Sequence, residues 1–469
     1  MYKTKTINAD TITVISAYLR LSGQNKFLLE SVPNEKAQAR YSIIARNPVK
    51  TIKAYGHDFY VNGSKRQVLD PLKALQDEVV TEDVVIPGFP FQGGAIGYVG
   101  FDTFGLYEQV GKVPKDDLGL PDIYFCLYES FIIFDHQKET ITIVEMNSYS
   151  QRLVVDMVTA LQQTIDELWT PTSSEHHPIH LGDFHYQSNF TQDEFEAVVK
   201  KAKQYIVEGD MFQMVPSQRL SGQANFEPFD YYRKLRITNP SPYLYFMDFG
   251  QTQVIGASPE SLVAVRDGHV TTNPIAGTRR RGATKQEDER LAHELMTDEK
   301  EIAEHKMLVD LGRNDLGRVA EIGSVNVTSL MKIQRYRYVM HLASEVMGRL
   351  NSQKSAIDAL KATLPAGTVS GAPKIRAIQR IYELEPTKRG VYAGAVGYLS
   401  QNDQADFAIA IRTMVVHKGY AHVQAGAGVV YDSVPTNEYQ ETLQKAKALL
   451  NVFDSAILDE RTSNDDTIS

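Results

Sequence analysis

Between Thr297 and Arg318 the chain reads TDEKEIAEHKMLVDLGRNDLGR. Placed at about 100° per residue, Glu299, Lys306, Asp310 and Arg313 form one solvent face, and Ile302, Met307, Leu308, Val309 and Leu311 fill the rest. Asp298 stands at the N-cap position with Glu301 three residues on, the spacing of a capping box. The pattern predicts a helix over 299–312 with Glu301, Glu304 and His305 inside its apolar arc. Acids rarely enter a core without a partner, so a positive group is expected opposite them. A structural reading competes: Glu301 closes the capping box and Glu304 pairs with Lys300, as ordinary ion pairs do. The segment from Asn437, NEYQETLQKAKALLNVF, repeats the arrangement. With Asn437 and Gln440 as caps, Gln440, Gln444, Lys447 and Asn451 form the wet side, and Glu438, Glu441 and Lys445 lie among Tyr439, Leu443, Ala448, Leu449 and Leu450.

Elsewhere the pattern is mixed. Strands are expected at 27–31, 40–45, 51–61, 124–134 and 140–145, with Asn62-Gly63 as a hairpin turn. The glycine-dense run Gly93-Gly94-Ala95-Ile96-Gly97-Tyr98 suggests close backbone approach. Gln151–Leu168 reads as an amphipathic helix, and Thr191-x-x-Glu194 opens another that ends at Gly209. Further strands are expected at 210–219, 243–249, 253–257, 262–266, 269–272, 393–399, 405–416 and 420–425. Further helices are expected at 287–296, 354–363, 373–383 and 437–454. Strands come in consecutive runs rather than alternating with helices, which predicts an α+β fold of large, mostly antiparallel sheets. The expected organisation is a strand-rich region over 1–170, a linker over 171–190, a second domain over 191–457 and a polar, disordered tail over 458–469. His176, His177, His180 and His185 cluster in the linker, but loop-like surroundings without other ligand spacing favour no metal there.

Composition narrows the class. The chain has 469 residues, 42% hydrophobic and 23% charged, with net charge −9, which suits a soluble protein and offers no basic surface for nucleic acid. A single cysteine, Cys126, excludes an internal disulfide framework and fits a reducing compartment. No run approaches the roughly 20 apolar residues of a membrane helix, and MYKTKTINADTITV lacks a signal-peptide core; a cytoplasmic location is expected.

Two helices with Glu-x-x-Glu in an apolar arc suggest a four-carboxylate cluster. Such a cluster stays ionised only around a cation, and oxygen-only ligation points to Mg2+. Thr278-Arg279-Arg280-Arg281-Gly282 reads as a basic turn. Gly367-Thr368-Val369-Ser370-Gly371-Ala372-Pro373-Lys374 and Gly426-Ala427-Gly428 offer amides and hydroxyls to an anion. With Arg412, Lys445 and a metal they describe a site for a small, multiply anionic molecule.

These stretches, PIAGTRRRG (274–282), DEKEIAEHKMLVDLGRNDLGR (298–318), LPAGTVSGAPK (364–374), GVYAGAVGY (390–398), IAIRT (409–413), QAGAGVVYDSVPTNEYQET (424–442) and GDMFQMVPSQR (209–219), closely resemble the chorismate-utilising enzymes. LLES at 28–31 and NPSPYLYF at 239–246 narrow the resemblance to the anthranilate synthase large subunits. The resemblance implies that Glu304 and Glu441 ligate Mg2+, with Glu301 and Glu438 beside them or acting through water, and that the metal holds the ring carboxylate of chorismate. It places Tyr392 and Arg412 on the enolpyruvyl carboxylate, and Gly426, Ala427, Gly428 and Lys445 on a carboxylate. Ala276, Gly277 and Thr278 become substrate-binding positions, and Thr368 lies against the substrate. Glu260 resembles the acid that protonates the departing ring hydroxyl, and His341 the residue needed for pyruvate elimination. Aminodeoxychorismate synthases typically carry a nucleophilic Lys at the position of Ala276. Isochorismate and salicylate synthases carry a water-activating Lys at that of Gln213. Both departures point to anthranilate, with an aminodeoxyisochorismate synthase as the rival. No task is expected of His305 beyond structure.

The ammonia source is not expected in this chain. Cys126, in YFCLYES, has a plain strand context rather than that of an activated nucleophile. A separate glutamine amidotransferase subunit is implied, forming a heterotetramer. The resemblance also implies feedback inhibition, with Leu29, Glu30, Ser31, Pro242 and Tyr243 as a tryptophan site and Glu30 meeting the amino group.

Overall fold

The computed structural model describes residues 1–31, 40–81, 85–172, 178–336 and 339–459. Two twelve-stranded sheets dominate the described residues. Every pairing within them is antiparallel except that of Asp183–Ser188 with Ser455–Leu458, so the expected α+β architecture is the one found. Both sheets draw strands from both halves of the chain. Phe27–Glu30 pairs with Tyr243–Asp248 in one, and Gly94–Val99 pairs with Ala395–Ser400 in the other. The segment read as a linker contributes the strand Asp183–Ser188, next to the edge strand Ser455–Leu458.

Side chains alternate across a strand, and here both faces are buried. In the first sheet Phe27, Ile43, Ile133, Tyr245 and Val254 point into a core shared with the second sheet's Ile96, Tyr98, Cys126, Val396 and Tyr398. Their neighbours Leu28, Ile44, Ile132, Phe246 and Ile255 point outward under helices that include Val154–Trp169 and Pro228–Thr238. The second sheet's outer face, with Ala95, Phe125 and Val263, packs under helices that include Ala356–Thr363 and Lys374–Leu384. The result is a sheet sandwich with helices outside. Gly97 faces Gly397 across a strand pair, and a Cβ at Gly97 would lie 2.0 Å from the Tyr124 carbonyl, the close approach that its apolar run suggested. Cys126 lies wholly buried between the sheets, where burial pushes its thiol up to about 12 and leaves it inert.

Several boundaries differ from expectation. The last helix runs Pro435–Leu450, with Pro435 in its first turn; Asn437 is therefore inside it and caps nothing. Pro373 precedes the helix Lys374–Leu384 as its N-cap rather than opening it. Short helices at Val14–Arg20, Pro71–Val79 and Pro228–Thr238 were not anticipated. The long hairpin Asn326–Arg335 with Val339–Arg349 was also missed. The basic turn is instead the strand Ile275–Arg280. The arginines of this stretch are consumed by the acidic starts of the two helices that follow, Arg280 by Glu287 and Arg281 by Asp288 in the first and Arg279 by Asp298 and Glu301 in the second, so they form no anion receptor. His176, His177 and residues 460–469 lie outside the described residues.

Candidate active site

The Glu299–Gly317 helix has the wet face expected of it, with Glu299, Lys306, Asp310 and Arg313 exposed. The Asp298 side chain accepts from the backbone N–H of Lys300 and Glu301. Glu301 does not close a capping box; its carboxylate meets Arg279 at 3.2 Å. His305 is fully buried at 0% exposure, with Nε2 2.6 Å from Ser344 Oγ, and burial holds its pKa below the usual value. Its role is internal.

One cavity of about 220 Å³ gathers the chemistry. Of the residues singled out in the sequence, Glu260, Ala276, Gly277, Thr278, Glu304, His341, Thr368, Tyr392, Arg412, Gly426 and Lys445 line it. Two of them sit where the chain crosses between sheets. Thr252–Ser258 belongs to one sheet and Ser261–Arg266 to the other, which leaves Glu260 at the corner. Ala405–Ile409 and Thr413–His417 are likewise divided, with Arg412 between them in the left-handed region at φ 50°. A non-glycine residue held there is strained, and such strain gathers at functional sites.

Glu260 is 8% exposed and accepts a hydrogen bond from Thr368 Oγ1 at 3.1 Å. Burial raises its pKa to about 8, against the opposing pull of that hydrogen bond and of Lys445. It therefore holds its proton at neutral pH. His341 pairs in register with Thr278, next to a bulge at Gly277 (φ 65°) that frees a carbonyl. His341 Nδ1 lies 3.0 Å from that Gly277 oxygen. A carbonyl only accepts, so Nδ1 carries the hydrogen and Nε2 keeps its lone pair. Burial lowers the His341 pKa and Arg412 lowers it further, so the ring is neutral. An uncharged acid and an uncharged base thus share one cavity.

The basic end is short of counter-ions. Arg412 is mostly buried, donates to the Lys445 carbonyl at 2.5 Å, and among the described residues meets no carboxylate; burial pulls its pKa down. Lys445 Nζ donates to Gly426 O at 2.9 Å and pairs with Glu441 at 2.8 Å. A buried guanidinium without an anion calls for an anionic ligand. Tyr392 stands beside it, its phenol raised to about 12 by burial. Ala427 and Gly428 fall outside the lining, and the Ala427 N–H is taken by Pro216 O at 3.1 Å, so it is not free for a carboxylate.

The acidic end is looser than expected. Burial raises the pKa of Glu304, as does Glu301 beside it, against a hydrogen bond from Gln213 Nε2 at 3.2 Å. Burial likewise raises Glu438, and Glu441 adds to the rise. Lys300 and Lys445 act on both Glu304 and Glu438, so the acids of the two helices share one neighbourhood. Among the described residues, however, no three acids, histidines or cysteines converge as a ready metal cage. Two of the expected quartet are paired with cations: Glu301 with Arg279 at 3.2 Å, and Glu441, 48% exposed, with Lys445 at 2.8 Å. The donor chemistry, all carboxylate oxygen crowded by like charge, still fits a hard divalent cation.

A family profile described as chorismate binding enzyme matches residues 24–451. The chain belongs to the chorismate binding enzymes. Within that family it is similar to anthranilate synthase component 1 of Lactococcus lactis, at 54% identity over 457 residues, covering 96% of this chain and 100% of that protein. The same-named protein of Thermus thermophilus is 43% identical, over 96% of this chain and 97% of its own. The crystal structure of anthranilate synthase component I from Streptococcus pneumoniae superposes with TM-score 0.84 at 51% identity, covering 94% of this chain and 98% of that one. The menaquinone-specific isochorismate synthase of Escherichia coli, TM-score 0.73 at 20% identity over 97% and 95% of the two chains, shares the fold.

In this chorismate-binding enzyme Arg389, which patterning did not single out, stands against the cavity wall, paired with Glu385. Arg389 stacks beneath the Tyr392 ring, 5.6 Å from its centroid, and donates to the carbonyls of Val369 and Val215, which line the cavity. Its place just before GVYAGAVGY was the available signal. Lys374, grouped with the anion-binding loop, is spent on Asp315 at 2.8 Å. At the remote stretch, strand pairing sets Leu29 and Glu30 against Tyr245 and Leu244, next to Pro242 and Tyr243. Glu30 does not offer a free carboxylate. Both its oxygens are held by Arg236 at 2.9 Å, and Tyr232 donates to one at 2.6 Å. Tyr243 donates to Asp406 at 3.0 Å, and Ser31 follows the strand.

With Glu260 acting as acid and His341 as base, the two pKa shifts predict a bell-shaped pH profile for kcat/KM. The basic limb falls above about 8, where Glu260 loses its proton. The acidic limb lies below the usual histidine value of 6.5, because His341 must be neutral. Stability moves with the same acid. An unfolded Glu ionises near 4.5 and folded Glu260 near 8, so its contribution is complete below about 4.5 and is lost as pH rises through about 8. Glu260→Gln removes that slope from the pH dependence of urea midpoints.

Proposed function

We propose that this enzyme converts chorismate and ammonia to anthranilate and pyruvate, the first committed step toward tryptophan. The observation that carries it is the protonated Glu260 sharing a cavity with neutral His341 and the unpaired Arg412. Arg412 and Tyr392 bind and orient the enolpyruvyl carboxylate. Glu260 gives its proton to the departing ring hydroxyl, which leaves as water while ammonia bonds at C2; hydroxide alone leaves poorly. His341 Nε2 then removes the C2 proton. The ring becomes aromatic, the enolpyruvyl C–O bond breaks, and pyruvate forms on protonation of its methylene carbon. Ala276 offers no nucleophile to the ring and Gln213 no base for water, which favours ammonia over a covalent or hydrolytic course. Mg2+, when bound, neutralises the ring carboxylate; Glu304 and Glu441 would hold it, with Glu301 and Glu438 beside them.

Ammonia comes from glutamine through a separate amidotransferase subunit in a cytoplasmic heterotetramer, a reading supported by the component 1 designation of the relatives and by the inert Cys126. Tryptophan acts as feedback inhibitor where Leu29, Ser31, Pro242 and Tyr243 meet, with Glu30 holding its strand through Arg236. The purified chain given chorismate, ammonium and Mg2+ yields equimolar anthranilate and pyruvate; accumulation of aminodeoxyisochorismate, with no fluorescent anthranilate, sinks the proposal. Glu304→Gln and Glu441→Gln each abolish Mg2+-dependent turnover, and full activity in either removes that residue from the metal site. Saturating tryptophan stops turnover; an unchanged rate ends the regulatory claim.

A further inference from the structure

Glu260 has a second face. A smaller cavity of about 40 Å³ reaches it from the side of the Glu299–Gly317 helix, sharing Glu260, Thr368 and Leu308 with the substrate cavity. One water needs roughly 10–15 Å³ of such space, so about three fit. Ser261, Thr272, Asn273, Thr363 and Asp315 supply polar walls, which a dry cavity would not have. Asn273, Leu311 and Ala366 at the rim are partly exposed, whereas Asp315 and Thr363 are buried. Lys374 Nζ ties the buried pair together, 2.8 Å from Asp315 Oδ2 and 3.1 Å from Thr363 O.

We propose that this crevice is the path by which water returns a proton to Glu260 after each turnover, with Asp315 and Thr363 positioning that water. The inference rests on Glu260 as the general acid of the reaction above. In that step the C–O bond breaks, the Glu260 proton leaves in the product water, and a carboxylate remains. Chorismate and then product cover Glu260 from the substrate side, and the crevice side stays open. A crevice water passes its proton to Glu260 and is itself reprotonated from bulk solvent, while the new C2 ammonium releases the balancing proton. Burial raises the Asp315 pKa against the pull of Lys374.

The test is a rapid-quench time course with Asp315→Asn, Mg2+, saturating chorismate and ammonium. Glu260 starts protonated, so the first anthranilate per site forms at the wild-type rate, and later turnovers run at least roughly tenfold slower. The slow phase gains rate with imidazole buffer concentration. A first turnover slowed as much as the later ones makes Asp315 merely structural and overturns the proposal, as does a steady state equal to wild type. If Asp315→Asn does not fold, Asp315→Asn/Lys374→Gln, which leaves no unpaired charge, carries the same test. Absence of anthranilate from the wild-type enzyme instead overturns the parent function.

Discussion

Glu260→Gln loses kcat by roughly 10²- to 10⁴-fold, the usual worth of a positioned general acid, while chorismate binding is unchanged. Glutamine keeps the shape and still accepts from Thr368 Oγ1, now 3.1 Å from Glu260 Oε1, but it has no proton to give. Because the wild-type carboxyl is already uncharged at neutral pH, the substitution leaves the net charge facing the bound substrate unchanged. Rate and affinity are thereby separated. Anthranilate fluorescence reports the first and calorimetric titration with chorismate the second. Turnover above a tenth of wild type would place the acid elsewhere.

Arg412→Met has two effects of opposite sign. It raises KM for chorismate by about 100-fold, the equivalent of a charged hydrogen bond of about 3 kcal/mol. It also raises the melting temperature of the unliganded enzyme. Arg412 donates to one backbone carbonyl and meets no carboxylate among the described residues, and a buried cation without an anion costs more than an apolar side chain of similar volume. A site that binds anions stores that cost until the ligand arrives. Thermal scans with and without chorismate read both signs. A lower melting temperature with unchanged KM would make Arg412 a structural residue.

How far the sequence foretold this depends on the number of buried faces. The Glu299–Gly317 helix keeps one wet face, so its 3.6-residue period was plain and its inward residues were named correctly. Strands such as Ile123–Tyr128 are buried on both sides, which erases the two-residue period. The expected strand 124–134 is accordingly two, Ile123–Tyr128 and Ser130–Asp135, in different sheets, and nothing local announces that Gly97 meets Gly397. The arginines of 279–281 looked like an anion receptor because their acids, Asp298, Glu287 and Asp288, are read as helix starts rather than partners. The partner of Glu30 was hidden for the same reason: Arg236 lies far along the chain. Motif resemblance, not patterning, found His341, whose strand went unrecognised, and Glu260, which sits at a corner between sheets.

The proposed chemistry requires a protonated carboxyl and a neutral imidazole in one cavity. A 13C NMR titration of protein labelled at the glutamate side-chain carboxyl, with the Glu260 signal assigned by its loss in Glu260→Gln, measures the first half directly. The carboxyl is expected to titrate near 8; a midpoint near 4.5, the ordinary value, would mean that Glu260 is ionised at working pH and cannot be the acid.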